Sequence, residues 1–199
     1  MTSNPQSAID AFHRKLDMFF HLHVERAFDP ERLHWWISLS GGKDSYAMAE
    51  GIRRWYQARG LRLTATGFTI DQWGGAAPLS IGAQLPWLSV EVLDARELTK
   101  SVTGYAPGEQ APCRRCADTR RQVTDSLLLR RPVAQGFVPF LARGLHLSDT
   151  AVSLAWRFAL GRDAASDLLG AGKARPIAQM AGDVHLVKPL AYAREFETA

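Results

Sequence analysis

Two stretches of the chain combine reactive residue types at useful spacings. The first is Ser40-Gly41-Gly42-Lys43-Asp44-Ser45. It follows a short apolar run with strand character, Trp35 to Leu39, and precedes Tyr46 to Arg59, which reads as a helix. A strand feeding a Gly-rich turn and a helix start presents backbone N–H groups and the positive end of the helix dipole to an anion. Gly41 and Gly42 let the backbone approach a phosphate closely and adopt positive φ. Ser40 and Ser45 add hydroxyl donors, and Lys43 adds a full charge. The G-x-x-x-x-G-K-[ST] spacing of a Walker loop is absent. The plainer alternative is an ordinary strand–turn–helix with a polar elbow.

The second stretch is Pro112-Cys113-Arg114-Arg115-Cys116, followed by Arg120 and Arg121. From Cys113 to about Arg130 the pattern reads as a helix. A cysteine in a first helical turn, among four arginines, is expected to favour thiolate, because dipole and cations both stabilise it. The C-x-x-C spacing puts the second sulfur one turn away, within reach of disulfide or persulfide exchange. The alternatives are two buried free thiols or half of a zinc site, although no second Cys or His pair has suitable spacing.

Several elements must position these residues. Residues 7–27 read as an amphipathic helix, with Ser7 as N-cap and Ile9, Phe12, Leu16, Phe19, Phe20 and Val24 on one face. His13, His21 and His23 lie there without the convergence a zinc site needs. Gly60 is expected to end the helix after the phosphate loop. Leu61 to Ile70 reads as a second strand, ending at Asp71-Gln72-Trp73. Asp71 then either starts a turn or sits at the binding edge of an open α/β sheet. A third strand is expected over Trp87–Leu93, a long polar loop over 96–112, a fourth strand over Val133–Ala142 and a helix over Thr150–Leu160. Gly161 to Gly182 reads as loop-rich, and Val184–Leu190 as a last strand. The fold class is therefore α/β, an open, mostly parallel, doubly wound sheet. Residues 1–30 would form an N-terminal helix packing on the core, and 31–199 the nucleotide-binding domain.

The 199 residues are 46% hydrophobic, which suits one globular domain with a real core. A net charge of +4 suits a polyanionic partner without proving one. No apolar run approaches the length of a membrane span, and the N-terminal residues lack signal-peptide features. A cytoplasmic protein is the expectation. A homodimer is expected on frequency alone.

The hexapeptide Ser40–Ser45 resembles the SGGxDS signature of the PP-loop ATP pyrophosphatases, whose fold is Rossmann-like. That family adenylates a carbonyl oxygen with ATP, releases pyrophosphate and lets a nucleophile displace AMP. Asp71-Gln72, the Cys113-x-x-Cys116 stretch with Arg120-Arg121, and Lys188-Pro189-Leu190-Ala191-Tyr192 with Arg194-Glu195 are similar to the tRNA 2-thiocytidine synthetase group. The resemblance covers about residues 30–195. It implies ATP contacts at Ser40, Gly41, Gly42, Lys43, Asp44, Ser45, Asp71, Gly144, His146 and Asp149, with Mg2+ at Asp71. It implies catalytic roles for Lys43, Asp44, Cys113 and Cys116. It implies phosphate or substrate contacts at Arg114, Arg115, Arg120, Arg121, Lys188 and Arg194. The group has G-H-H-x-D-D where this chain has Gly144-Leu145-His146-Leu147-Ser148-Asp149, so Leu145 and Ser148 depart from it. Ala193 replaces a cysteine that helps hold an iron–sulfur cluster, and two cysteines are a poor set for one, so no stable cluster is expected. Cys113 would instead carry sulfur as a persulfide, and Cys116 would resolve it. The sulfur donor would be cysteine, a desulfurase or sulfide. Trp35, Trp36 and Trp73 near the site suggest a stacked purine, so a small nucleobase or nucleotide, as in thioguanine formation, is favoured over tRNA. A tRNA acceptor, an amide-forming ligase and a non-catalytic nucleotide-binding partner are the alternatives.

Overall fold

The computed structural model describes residues 5–74, 77–104, 119–120, 122–124, 126, 131, 133–144, 176–179 and 183–193. Among these, β1 (Leu33–Ser38) is the central strand, because alternate side chains serve opposite faces. Leu33, Trp35 and Ile37 point into one core, and Trp36 into the other. β1 leads through the Gly-rich turn into α2 (Lys43–Ala58). Gly60, at φ +65°, follows the helix end as the sequence predicts.

β2 (Thr64–Asp71) pairs parallel with β1, and β3 (Val90–Asp94) pairs parallel with β2. β4 (Val138–Ala142) adds on the other side of β1, then β6 (His185–Val187), both parallel. β5 (Ile177–Gln179) closes that side antiparallel to β6. The order is β3-β2-β1-β4-β6-β5, so the chain reverses direction across the sheet between β1 and β4. That reversal is the topological switch point of an open α/β sheet. The expected doubly wound, mostly parallel architecture is present.

One face is covered by α1 (Pro5–Phe19), α2 and α3 (Ala77–Gln84). Its core contains Phe12, Leu16, Phe19, Phe20, Trp35, Met48, Trp55 and Phe140, all buried. Trp35 Nε1 donates to the Tyr56 hydroxyl at 2.8 Å, and that hydroxyl donates to the Pro30 carbonyl at 2.8 Å. Burial raises the Tyr56 pKa, so the phenol stays neutral. The opposite face buries Trp36, Phe68, Leu93, Val123, Leu141 and Val184.

Several boundaries differ from the sequence reading. The helix expected over 7–27 starts at Pro5 and is α-helical only to Phe19; Phe20–Val24 forms a π-helical turn. Ile9, placed on the apolar face by spacing, is 44% exposed. The polar segment expected as loop from 96 begins with a helix, α4 (Arg96–Thr103), stopped by Gly104 at φ +73°. Leu98 and Thr99 pack inward there, so alternating polar residues concealed an amphipathic helix. The segment 161–182 contains β5, whose three residues are too few to stand out by pattern. A single helical turn, Pro189–Tyr192, follows β6 where strand was expected to continue, because Pro189 cannot donate to a ladder. Arg14, Arg59 and similar charges lie on the outside, and no helix among the described residues is long and apolar enough to cross a membrane.

Candidate nucleotide site at the switch point

Parallel strands put the carboxyl ends of β3, β2, β1, β4 and β6 on one edge, and the phosphate loop lies there beside the switch point. Leu39 N–H donates to the Phe68 carbonyl at 2.8 Å, fixing the loop's entry. Gly41 has φ +79°, a left-handed conformation that glycine adopts without a Cβ penalty. Gly42 is the extended N-cap of α2, with no side chain to cap it. Ser45 instead ties the loop from inside the helix. Its Oγ donates to the Gly42 carbonyl at 2.8 Å and accepts from Ser40 N–H at 3.3 Å. Ser40 Oγ lies 3.4 Å from it and accepts from Gly42 N–H at 3.4 Å. Ser45 is buried and Ser40 exposed, so the first serine ties the loop and the second lines it. Lys43 is exposed and pairs with Asp44 at 3.1 Å.

The residue after Arg143 brings the other half of the switch point to this loop. A Cβ on Gly144 would sit 3.3 Å from Asp44 C, Asp44 O and Ser45 N. Only a residue lacking Cβ lets the β4 exit pack so closely on the start of α2. Arg143 N–H donates to the Val187 carbonyl at 3.1 Å, and Lys188 N–H to the Pro176 carbonyl at 2.9 Å. Lys188, at the β6 exit on the same edge, is 6% exposed. Gly41, Gly42, Lys43, Asp44, Ser45 and Gly144 are thus brought together, with Lys188 two strands away from β1.

Asp71 ends β2 on the same edge. Its Oδ1 accepts from Gly74 N–H at 2.7 Å and from Trp73 N–H at 3.3 Å, so it does initiate a turn. It also stands at the carboxyl edge of the parallel strands. Its neighbours there are Asp94 and Arg96, which sequence reasoning missed because they border the supposed loop; Asp94 followed by a Glu97-containing turn was the available helix-start signal. Trp35 and Trp36 are not available to stack a purine: they are 0% and 6% exposed, one in each core. They lie mid-strand, where successive side chains point away from the strand end. Trp73 is half-buried in the Asp71 turn. Arg120 is exposed. Cys113, Cys116, Arg114, Arg115, Arg121, His146, Asp149 and Arg194 lie outside the described residues.

For a divalent cation, Asp71 offers one carboxylate, and no group of three His, Cys, Asp or Glu converges among the described residues. That suits Mg2+, which keeps several waters and takes its remaining ligands from substrate phosphates. For an iron–sulfur cluster the donor set does not fit. The chain has two cysteines, and Ala193 is buried in the core.

No protein-family model matches the chain, and no curated protein matches it in sequence. Solved structures do match. U34-tRNA thiolase NcsA from Methanococcus maripaludis, with its [4Fe-4S] cluster, superposes with a TM-score of 0.67 at 18% identity, over 98% of this chain and 62% of that one. FMN adenylyltransferase from Candida glabrata, in complex with FMN and the ATP analogue AMPCPP, gives 0.51 at 10% identity, over 100% and 56%. The chain spans less than two thirds of either. The likeness is one of fold: the open, mostly parallel α/β sheet described above is shared with these structures.

Proposed function

We propose that the chain is an ATP-dependent sulfurtransferase that thiolates a nucleobase carbonyl. The observation that carries this reading is the Ser40–Ser45 loop at the switch point, tied by Ser45 and held against Gly144. The loop amides, Ser40 and Lys43 bind and orient the ATP phosphates, and the α2 N-terminus stabilises their charge. Asp71 would hold the nucleotide's Mg2+, which supplies charge neutralisation at the phosphates when bound. The base oxygen attacks the α-phosphorus, the bond to pyrophosphate breaks, and the oxygen becomes part of an AMP leaving group. The terminal sulfur of a Cys113 persulfide then attacks the activated carbon, and AMP leaves. The Cys116 thiolate attacks the Cys113 sulfur, which forms a Cys113–Cys116 disulfide and releases the thiocarbonyl product. A thiol reductant resets the pair, and the Cys113 thiolate is reloaded by attack on the terminal sulfur of a desulfurase persulfide, whose cysteine thiolate leaves. No step passes through an iron–sulfur cluster.

Two acceptors are consistent with this chemistry. The burial of Trp35 and Trp36 leaves Trp73 alone of the three to stack a free purine, and the likeness to a tRNA thiolase favours a base within tRNA. The test incubates the protein with ATP, Mg2+, cysteine and a desulfurase, with a tRNA transcript or free guanine as acceptor. Pyrophosphate release and intact mass are followed for wild type and Cys113→Ser. Expected are one added sulfur on wild type alone and a thiolated base in one acceptor arm. Thiolated product that survives Cys113→Ser would overturn the persulfide route, and pyrophosphate release in both proteins with no thiolated product in either acceptor arm would favour an amide-forming ligase.

A further inference from the structure

The exits of β2 and β3 place Asp71 and Asp94 side by side as register partners. Arg96, the first residue of α4, lies between them. Its Nε donates to Asp94 Oδ1 at 3.0 Å, and its Nη2 to Asp94 Oδ2 at 2.5 Å. Its backbone N–H also donates to Asp94 Oδ1, at 3.0 Å. The same Nε lies 4.0 Å from Asp71 Oδ2. The Asp71 turn runs over the arginine stem: a Cβ on Gly74 would lie 3.7 Å from Arg96 Cδ. Asp71 therefore spends Oδ1 on its own turn amides and turns Oδ2 toward a guanidinium whose charge Asp94 balances.

We infer that Arg96 is a positioning residue for the nucleotide's divalent cation, forming with Asp94 a charge-balanced pair that sets the field at Asp71. The inference rests on the reading of Asp71 as the carboxylate that receives that cation. Its signature is a change of sign. Removing the guanidinium leaves Asp94 uncompensated beside Asp71, and a cation binds more tightly. Removing the Asp94 charge leaves Arg96 facing Asp71, and a cation binds more weakly. A role confined to holding α4 in place would weaken binding in both cases.

The test titrates Mn2+ into the protein with saturating AMPCPP, following bound metal by electron paramagnetic resonance. Arg96→Gln is expected to lower the half-saturating Mn2+ about tenfold, and Asp94→Asn to raise it about tenfold, the scale of groups that act through a metal ligand. Asn keeps the acceptor for the Arg96 backbone N–H, so α4 retains its start. The double variant is expected to return near wild type. Shifts in the same direction, or none in either variant, overturn the inference. Asp71→Asn separates the two readings. Weakened Mn2+ binding there, with Arg96→Gln and Asp94→Asn unshifted, sinks only the role of Arg96. Unchanged binding in Asp71→Asn sinks the assignment of Asp71 and this inference with it.

Discussion

Ser45 is the residue on which the candidate site turns. One buried hydroxyl satisfies the Gly42 carbonyl and receives Ser40 N–H, so the glycines that give the loop its shape are held by a side chain they cannot supply themselves. Ser45→Ala removes the acceptor of Ser40 N–H and one of three donors to the Gly42 carbonyl, which keeps Ser45 N–H at 3.1 Å and Tyr46 N–H at 3.4 Å, at a cost of about 1 kcal/mol. Because the loop is the part released, ATP affinity is expected to fall about fivefold, as about 1 kcal/mol gives, with the melting temperature little changed. Calorimetric titration with AMPCPP checks it, and unchanged affinity would mean the loop does not need the tie. The strand–Gly–Gly–helix order was legible in sequence, because Ser40 to Ser45 are neighbours, but the tie was not: Ser45 was expected to offer its hydroxyl to a phosphate, and it is buried on the loop's own carbonyl. The role of Gly144 was not legible in the same way. It is set by a backbone approach between residues about a hundred positions apart, and nothing local to Arg143-Gly144 announces it.

At the scale of elements, α1 is seated on α2 through one small residue. A Cβ on Gly51 would lie 2.7 Å from Leu16 Cδ2 and 3.2 Å from the Phe12 ring, both buried. A larger side chain there has no room, and glycine at this helical position is kept despite its propensity cost of about 1 kcal/mol. Gly51→Leu is expected to destabilise the fold by about 2 kcal/mol through overpacking, read as a lower urea midpoint. An unchanged midpoint would show that α1 moves aside at no cost. Strongly periodic elements such as α2 and β2 could be found from sequence. α4 could not, because it is short and its first residues look like a turn. Phe20–Val24 was hidden for another reason: its apolar spacing is helical, and a π-helical turn differs from an α-helix in its backbone bonds alone.

For the whole molecule, histidines from three regions respond to pH together. Burial lowers the pKa of His34; burial and then Arg26 lower that of His23; burial, against an opposing pull from Asp183, lowers that of His185. Each folded value lies below the ordinary 6.5, so the unfolded chain binds protons that the folded chain refuses. Their contribution to stability is then complete above pH 6.5 and is lost as pH falls through the folded values. Thermal melts are expected to drop between pH 7 and pH 5, with a shallower slope in His34→Gln; parallel slopes would remove His34 from the account. Strand order belongs to this scale as well. The apolar run of β1 announced a strand, but placing β4 beside β1 depends on pairings between distant segments, which no local pattern encodes. One such long-range bond joins the two ends of the described chain. His23 Nε2 lies 2.6 Å from the Tyr192 hydroxyl, with the rings stacked 5.7 Å apart, in the turn that follows Lys188. During synthesis on the ribosome, the first helix is made long before its last partner emerges. Until Tyr192 arrives, His23 lacks this partner, so the contact between the first helix and the turn after β6 closes only when translation has passed that residue.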